Sequence, residues 1–446
     1  MNINRHFSRR SFLQTLGAAA AGAPFITSCM TTRPPSGRLR HASFGAGNQA
    51  WDDLNCIAQA PNVDIVAICD VDLRRTVEAR KQFPNARIYQ DWRELLDKEA
   101  RHIDSVNVST PDHMHAPIGV SAMQLGKHLY GQKPLAHDLY EVRRMTEIAR
   151  RQRVVTQMGI QVHSKSHYRR IVPLIQSGII GKIKEVHTWS NKTWGDTAPL
   201  PKLTETNPIP AGFDWNLWLG VCAERPFIGG DYYHPENWRK RLDFGTGTFG
   251  DMGCHIYDPV FCALKLTAPI SIRSEGPAPN DCNWALDAKI HYQFPGNQFS
   301  CGPTLPITWY DGATEKPDEI KAIVGKQRLP DQGSVFVGTE GAVILPHYGK
   351  PQLYPLEKFK DYVQPDATDT NHWEEFVLAC QGEGTTSTPF SYAGPLTEAV
   401  LLGGVASRFP QTTLKWDAAN LKFDLPAANH FVRRSYRKGW AVKGLS

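Results

Sequence analysis

The chain has nine cysteines but no Cys-x-x-Cys pair, so the commonest thiolate metal and redox motifs are missing. No apolar run reaches the roughly 20 residues that a membrane-spanning helix needs. A mean hydropathy of −0.39 argues against a multi-span membrane protein. No run of five or more basic residues occurs, and a formal charge of +6 over 446 residues is weak for a nucleic-acid binder. Internal repeats and low-complexity tracts are absent as well. These absences leave a globular chain, 41% apolar, with enough material for substantial cores. At roughly 100–200 residues per domain, two or three domains are expected.

The N-terminus carries an address. Ser8-Arg9-Arg10-Ser11-Phe12-Leu13 is a twin-arginine pattern, and a short alanine- and glycine-rich apolar stretch follows from Leu13 to Thr27. Ile26-Thr27-Ser28-Cys29 fits a lipobox, with cleavage before Cys29 and lipidation of that cysteine. Cleavage without lipidation is the alternative. Residues 1–28 are therefore expected to be an export signal and 29–38 a linker. The mature protein would be periplasmic or anchored to a membrane through Cys29 alone. Loss of Arg5, Arg9 and Arg10 lowers its charge to +3. The remaining cysteines read as scattered buried thiols, because a core this large does not need disulfides.

From Leu39 to about 157, apolar runs alternate with helix-like segments. Strands are predicted at Arg40–Gly45, Asp64–Cys69, Ser105–Ser109, His128–Tyr130 and Val154–Gln157. The alternation predicts a doubly wound parallel sheet, a Rossmann domain over 39–157. Beyond it, strand-like runs follow one another at Ile183–Asn191, Ser271–Glu275, Ala288–Phe294, Gln298–Pro303, Ser334–Gly338 and Gly341–Leu345. They predict an α+β domain over 158–446, built on a mostly antiparallel open sheet. Residues 196–248, rich in Pro, Gly and aromatics, read as a long irregular insertion. Helices are expected at Thr370–Gln381 and Leu396–Arg408.

Gly45-Ala46-Gly47-Asn48-Gln49-Ala50 follows the first strand and opens a helix. The first glycine makes a tight turn, the second admits a pyrophosphate, and the small Ala50 allows helix–strand packing. The helix N-terminus favours phosphate. Asp70 lies 23 residues after Gly47, at the end of the next strand. A carboxylate there bonds ribose hydroxyls and repels a 2′-phosphate, so NAD is favoured over NADP. Arg74 and Arg75 stand nearby. The alternative reading is a glycine turn with a helix-capping aspartate.

Three further segments carry a resemblance. Ser109-Thr110-Pro111-Asp112-His113-Met114-His115 follows the third predicted strand. Gly131-Gln132-Lys133-Pro134-Leu135 holds a Lys-Pro pair. Gly250-Asp251-Met252-Gly253-Cys254-His255-Ile256-Tyr257-Asp258 holds an Asp-x-Gly-x-His segment. In order and spacing, residues 39 to about 260 resemble the Gfo/Idh/MocA oxidoreductases. The resemblance implies cofactor contacts from Ser109, Thr110, Pro111, His113, His115, Gln132 and Lys133, beside those from Gly45, Gly47, Asn48, Gln49 and Asp70. It also implies assembly through the open sheet as a homo-oligomer. Gln132 departs from the usual glutamate of Glu-Lys-Pro: it keeps a hydrogen-bonding end and loses the charge.

Oxidising an alcohol needs a base for the hydroxyl proton as well as a hydride acceptor. Lys133 stands at a strand end, where ligands of such sheets bind. Asp251, His255 and Asp258 fall at i, i+4 and i+7, on one helix face. His255 suits a general acid/base, with Asp251 orienting it or bonding a sugar hydroxyl. Two acids and one histidine are too few to argue a metal site. Trp189, Trp194, Trp215, Trp218 and Trp238 lie within 50 residues, with Tyr232, Tyr233 and His234. Aromatic faces pack against sugar rings, so Trp194, Tyr233 and His234 are substrate candidates, with Gln161 and His163 at the domain junction. The expectation is NAD-dependent oxidation or reduction of a sugar or glycoside hydroxyl, with a 3-keto sugar as one product. Export without free NAD outside the cytoplasm implies a tightly held cofactor. One alternative is an NAD-recycling glycosidase working by oxidation, elimination, hydration and re-reduction. Another is a sugar-binding lipoprotein without turnover, which Gln132 alone supports.

Overall fold

The computed structural model describes residues 37–201 and 207–446. The expected signal, Cys29 and most of the linker lie outside them. The first sheet has six strands: β1 (Leu39–Phe44), β2 (Val63–Cys69), β3 (Arg87–Tyr89), β4 (Ser105–Val108), β5 (His128–Gln132) and β6 (Thr156–Gly159). Their order is β3-β2-β1-β4-β5-β6, and every pairing is parallel. β1 and β4 are buried on both faces although half of their residues are polar, and the His41 ring bonds Ser105 and Asn107 across the pair. Intervening helices start at side-chain caps: Asp91 accepts from the N–H of Arg93, and Asp138 from that of Glu141. Strand order reverses between β1 and β4, so the crevice outside their carboxyl ends is the place for a ligand.

The second sheet has nine strands: β7 (Ile183–Ser190), β8 (Ser271–Ser274), β9 (Lys289–Pro295), β10 (Thr304–Asp311), β11 (Gln332–Gly338), β12 (Ala342–Pro346), β13 (Gln352–Tyr354), β14 (Thr413–Asp417) and β15 (Lys422–Phe423). The order is β13-β12-β11-β7-β10-β9-β8-β14-β15. Only the β7–β10 pairing is parallel. The Gly247–Leu264 helix, buried along nearly all of its 18 residues, packs between this sheet and the Phe390–Ala406 helix.

Two expectations are corrected. Gln298–Pro303 is a turn rather than a strand: Asn297 accepts from the N–H of Phe299, and Ser300 Oγ from that of Asn297. Such side-chain bonds end a strand, and the chain resumes as β10. The Leu396–Arg408 helix starts earlier, at Phe390, and ends at Ala406. Pro395 sits inside it, a residue that normally marks a break.

The two halves are tied together directly. The indole N–H of Trp373, on the His372–Cys380 helix, donates to Asp53 in the first domain. The C-terminal tail returns as well, with the Arg434 N–H donating to Asp138 and the Tyr140 N–H to the Val432 carbonyl.

Candidate active site

One end of the cleft is built from backbone. Gly45 has φ +104°, and a Cβ there would lie 2.7 Å from the Ser109 carbonyl oxygen. Asn48 caps the following helix (Gln49–Ala58) with backbone only, at φ +51°. The N–H groups of Gly47 and Asn48 find no acceptor among the described residues. Bare amides at a helix N-terminus, beside a turn that only glycine fits, suit the pyrophosphate of a dinucleotide. Asp70 lies at the end of β2, its carboxylate accepting from the N–H groups of Ala46 and Asp72, both at 2.9 Å. Burial pushes its carboxyl above the ordinary range, against the pull of those two bonds. Gly45, Gly47, Asn48, Gln49 and Asp70 line this end, and Ser109, Thr110, Pro111 and His115 line the middle. The His115 ring bridges the carbonyls of Pro134 and Thr110, each at 2.7 Å.

The insertion roofs that end. Asp214 N–H donates to Val71 O and Leu73 N–H to Gly212 O. His234 lies 3.2 Å from Asp72, and the Asn48 amide donates to Glu236. Burial opposes the Asp72 charge, but His234 and Arg74 hold its carboxyl well below the ordinary range. An aromatic cluster of Phe213, Trp215, Trp218, Tyr233, Trp238 and Phe244 supports the roof. Two sequence expectations change here. Tyr233 is a packing residue, 2% exposed, against Trp215, Trp218 and Phe244. His113 is buried beneath the same cluster, bonded to the Trp218 carbonyl rather than facing a cofactor. Burial, with Arg434 nearby, pushes it down to about 3. His234 reaches the cleft, but at the nucleotide end.

The other end is crowded with charge. Lys133 Nζ donates to Asp251 Oδ1 at 2.6 Å and to the Asp251 carbonyl at 2.8 Å. The indole N–H of Trp194 donates to Asp251 Oδ2 at 2.8 Å, and Arg239 approaches Oδ1 at 3.4 Å. The Arg239 guanidinium also lies over the rings of Trp194 and Trp238. Burial opposes the Asp251 charge, but Lys133 and Arg239 hold its carboxyl well below the usual range.

His255 sits one helical turn further, 7% exposed, and its Nδ1 has no partner among the described residues. Burial first, then Lys133 and His347, push it well below the ordinary histidine range, so the ring is neutral. Its ring centroid is 5.7 Å from that of His347. His163 does not line the cleft. It bonds Asp258 at 2.9 Å, where the Tyr392 hydroxyl also donates, and that carboxylate raises the imidazole against the effect of burial. Gln161 keeps a buried Oε1 nearby that has no partner among the described residues.

Sequence reasoning missed Arg239, His347 and Asp53. Arg239 carries no motif, and His347 comes from the turn after β12. Asp53 left one trace, its i, i+4 spacing from Gln49.

A model of the Gfo/Idh/MocA oxidoreductases, NAD-binding Rossmann fold, matches residues 39–160, and one of their C-terminal alpha/beta domain matches residues 165–297. The chain belongs to the Gfo/Idh/MocA oxidoreductase family. Its first domain is therefore an NAD-binding Rossmann domain, and in this family member Gln132 stands beside Lys133. Among relatives, an alpha-N-acetylgalactosaminidase of Shewanella oneidensis is 26% identical over 207 residues, covering 39% of this chain and 44% of that protein. An uncharacterized oxidoreductase of Rhizobium meliloti is 30% identical over 128 residues, covering 28% of this chain and 37% of its own. The chain thus matches less than half the length of these relatives. The WlbA dehydrogenase of Bordetella pertussis, solved with NADH and UDP-GlcNAcA, superposes with a TM-score of 0.60 at 14% identity. It covers 85% of this chain and 99% of its own, which is a likeness of fold.

Proposed function

We propose that the protein is an NAD-dependent oxidoreductase acting on a hydroxyl of a sugar or glycoside. The observation that carries this is the Lys133–Asp251 ion pair at the end of β5, with neutral His255 one turn beyond it. NAD, when bound, accepts hydride from the alcohol carbon. Lys133 commits two N–H groups to Asp251, leaving the third to bond the substrate oxygen and stabilise charge developing there. Asp251 is held by Lys133, Trp194 and Arg239; it positions Lys133 and remains an anion. His255, neutral and one turn beyond Asp251, takes the hydroxyl proton through its Nε2, since Nδ1 is buried.

The sugar is read from chemistry and kinship together. Trp194 sits at the reacting end, and relatives include a glycosidase and, by fold, a dehydrogenase solved with a nucleotide sugar. The twin-arginine pattern supports export of the folded, NAD-loaded protein, as a periplasmic or Cys29-anchored enzyme. A homo-oligomer formed through the open sheet accompanies that reading.

The named glycosidase relative favours a second reading, the redox-recycling glycosidase. A 3-keto group acidifies the C2 proton and lets the C1 substituent leave. Removing that proton needs a second acid/base, and neither Tyr233, which is core, nor His234, which is tied to Asp72, is placed to serve. His347, beside His255, takes that place.

The test is an assay of the purified mature chain. Its nucleotide is extracted and identified, then methyl and aryl glycosides are added while NADH absorbance and free sugar are followed. Reduction of bound NAD with a keto product supports the dehydrogenase. Sugar release without net NADH supports the recycling glycosidase. No nucleotide and no turnover would leave a sugar-binding lipoprotein.

A further inference from the structure

Asp53 is fully buried in the first domain, 0% exposed, and four side chains donate to it. Ser109 Oγ (2.7 Å) and Gln132 Nε2 (2.9 Å) reach Oδ2, while Gln49 Nε2 (3.1 Å) and Trp373 Nε1 (3.0 Å) reach Oδ1. These donors come from the nucleotide helix, the loop after β4, the end of β5 and the second domain. One carboxylate thus ties three segments that line the cleft, at Gln49, Ser109 and Gln132, to one another and to the second domain.

The Gln132 amide works in both directions. Its Nε2 donates to Asp53, and its Oε1 accepts from the backbone N–H of Lys133 at 3.2 Å. The side chain lies against Gly159 of β6, where a Cβ would stand 2.5 Å from Nε2. That packing leaves the amide little room to turn. A glutamate at 132 would have no donor end, and would set two buried carboxylates within hydrogen-bond distance of each other. With a buried carboxylate at 53, the amide end of Gln132 is therefore the better-matched partner.

We propose that Asp53 is a positioning residue for Lys133, acting through Gln132, and that the amide at 132 is the partner which a buried acid at 53 requires. The inference rests on Lys133 being the residue that bonds the substrate oxygen. In the swapped pair, Asp53→Asn with Gln132→Glu, the asparagine amide donates to the new carboxylate. Its second oxygen still accepts from the Lys133 N–H.

The experiment is a cycle of full-length mature proteins: Asp53→Asn, Gln132→Glu and the double variant. Three properties are read: melting temperature, the rate at which acetic anhydride acylates Lys133 (by peptide mass spectrometry), and sugar turnover. Each single variant is expected to lower the melting temperature by about 5–10 °C. Each also changes the Lys133 acylation rate by about fivefold or more, and lowers kcat by about tenfold or more with KM little changed. The double variant returns melting to within about 3 °C and acylation to within about twofold of wild type. If Gln132→Glu does not fold, the comparison of Asp53→Asn with the double variant decides. A double variant no better than Asp53→Asn overturns the proposal. So does recovery of melting with Lys133 acylation unmoved in every variant, which would make the pair a structural staple only. A wild-type protein without sugar turnover, but with a normal melting and acylation cycle, would sink the proposed activity and leave this pairing intact.

Discussion

The two ends of the cleft are built by opposite means. At the nucleotide end, recognition is done by the backbone: a positive-φ glycine, bare amides and a carboxylate that itself accepts backbone N–H groups. At the reacting end it is done by side chains, with Lys133, Arg239, Asp251 and His255 crowded within a few bonds of one another. Backbone recognition tolerates changes of side chain but not of Cα geometry. Buried charges tolerate changes of geometry poorly and loss of a partner worse. The ends should therefore fail differently when perturbed.

The sharpest break is expected at Lys133. Lys133→Ala removes the ammonium from a substrate oxygen and leaves Asp251 with Arg239 and Trp194. Turnover should fall by about 10³-fold or more, as for loss of a principal electrostatic group. NAD content of the purified protein should remain near wild type, because the nucleotide end is untouched. A variant that loses NAD along with turnover would mean that the ends are not separable. Gly45→Ala is the mirror experiment. Its new methyl meets a backbone carbonyl at 2.7 Å in a left-handed conformation, so the turn must shift. NAD affinity, by titration calorimetry, should fall by about 10–100-fold. Turnover per bound NAD should change much less.

The same contrast decides what could be read from the sequence. The nucleotide end is local: Gly45, Gly47, Asn48, Gln49 and Asp70 lie within one βαβ unit, and the phosphate and ribose each leave a fixed spacing. Lys133 and Asp251 were legible because motifs mark them, although they stand 118 residues apart. Arg239, His347 and Trp373 are brought in by tertiary packing alone, with no periodicity or neighbour to announce them. The aromatic insertion misled for a physical reason. Phe213, Trp215, Trp218 and Tyr233 have no sheet or long helix to pack on, so they form their own core. In a sequence, such a core looks the same as a sugar-binding platform. β10 was displaced because a strand edge depends on side-chain bonds such as those of Asn297.

A smaller effect concerns acid. His255 is held well below its ordinary range, and burial pushes His347 down to about 4. In the unfolded chain both would titrate near 6.5. As pH falls below about 6.5, the unfolded state takes protons that the folded rings refuse, so stability is lost from there toward pH 4. Melting temperature should drop over that window, and His255→Gln should flatten the slope if it is folded. Burial holds down His41, His113, His128 and His372 as well, so the substitution removes one share of the slope, and a slope unchanged by it would mean that His255 is not held neutral in the folded chain.

The smallest expected effect tests the roof. His234 is the side chain by which the insertion grips Asp72, and its ring is also stacked on Phe213 at 5.0 Å. The backbone bonds of Asp214 and Leu73 hold the same seam. Removing one half-buried side-chain contact therefore loosens the roof without opening it. His234→Ala should speed NAD release by about two- to fivefold, read by the loss of bound nucleotide into excess competing analogue. Turnover per bound NAD should stay within about twofold, since His234 lies away from Lys133 and Asp251. An unchanged release rate with halved turnover would place His234 at the reacting end. The division between backbone and side-chain recognition would then run through the insertion rather than beside it.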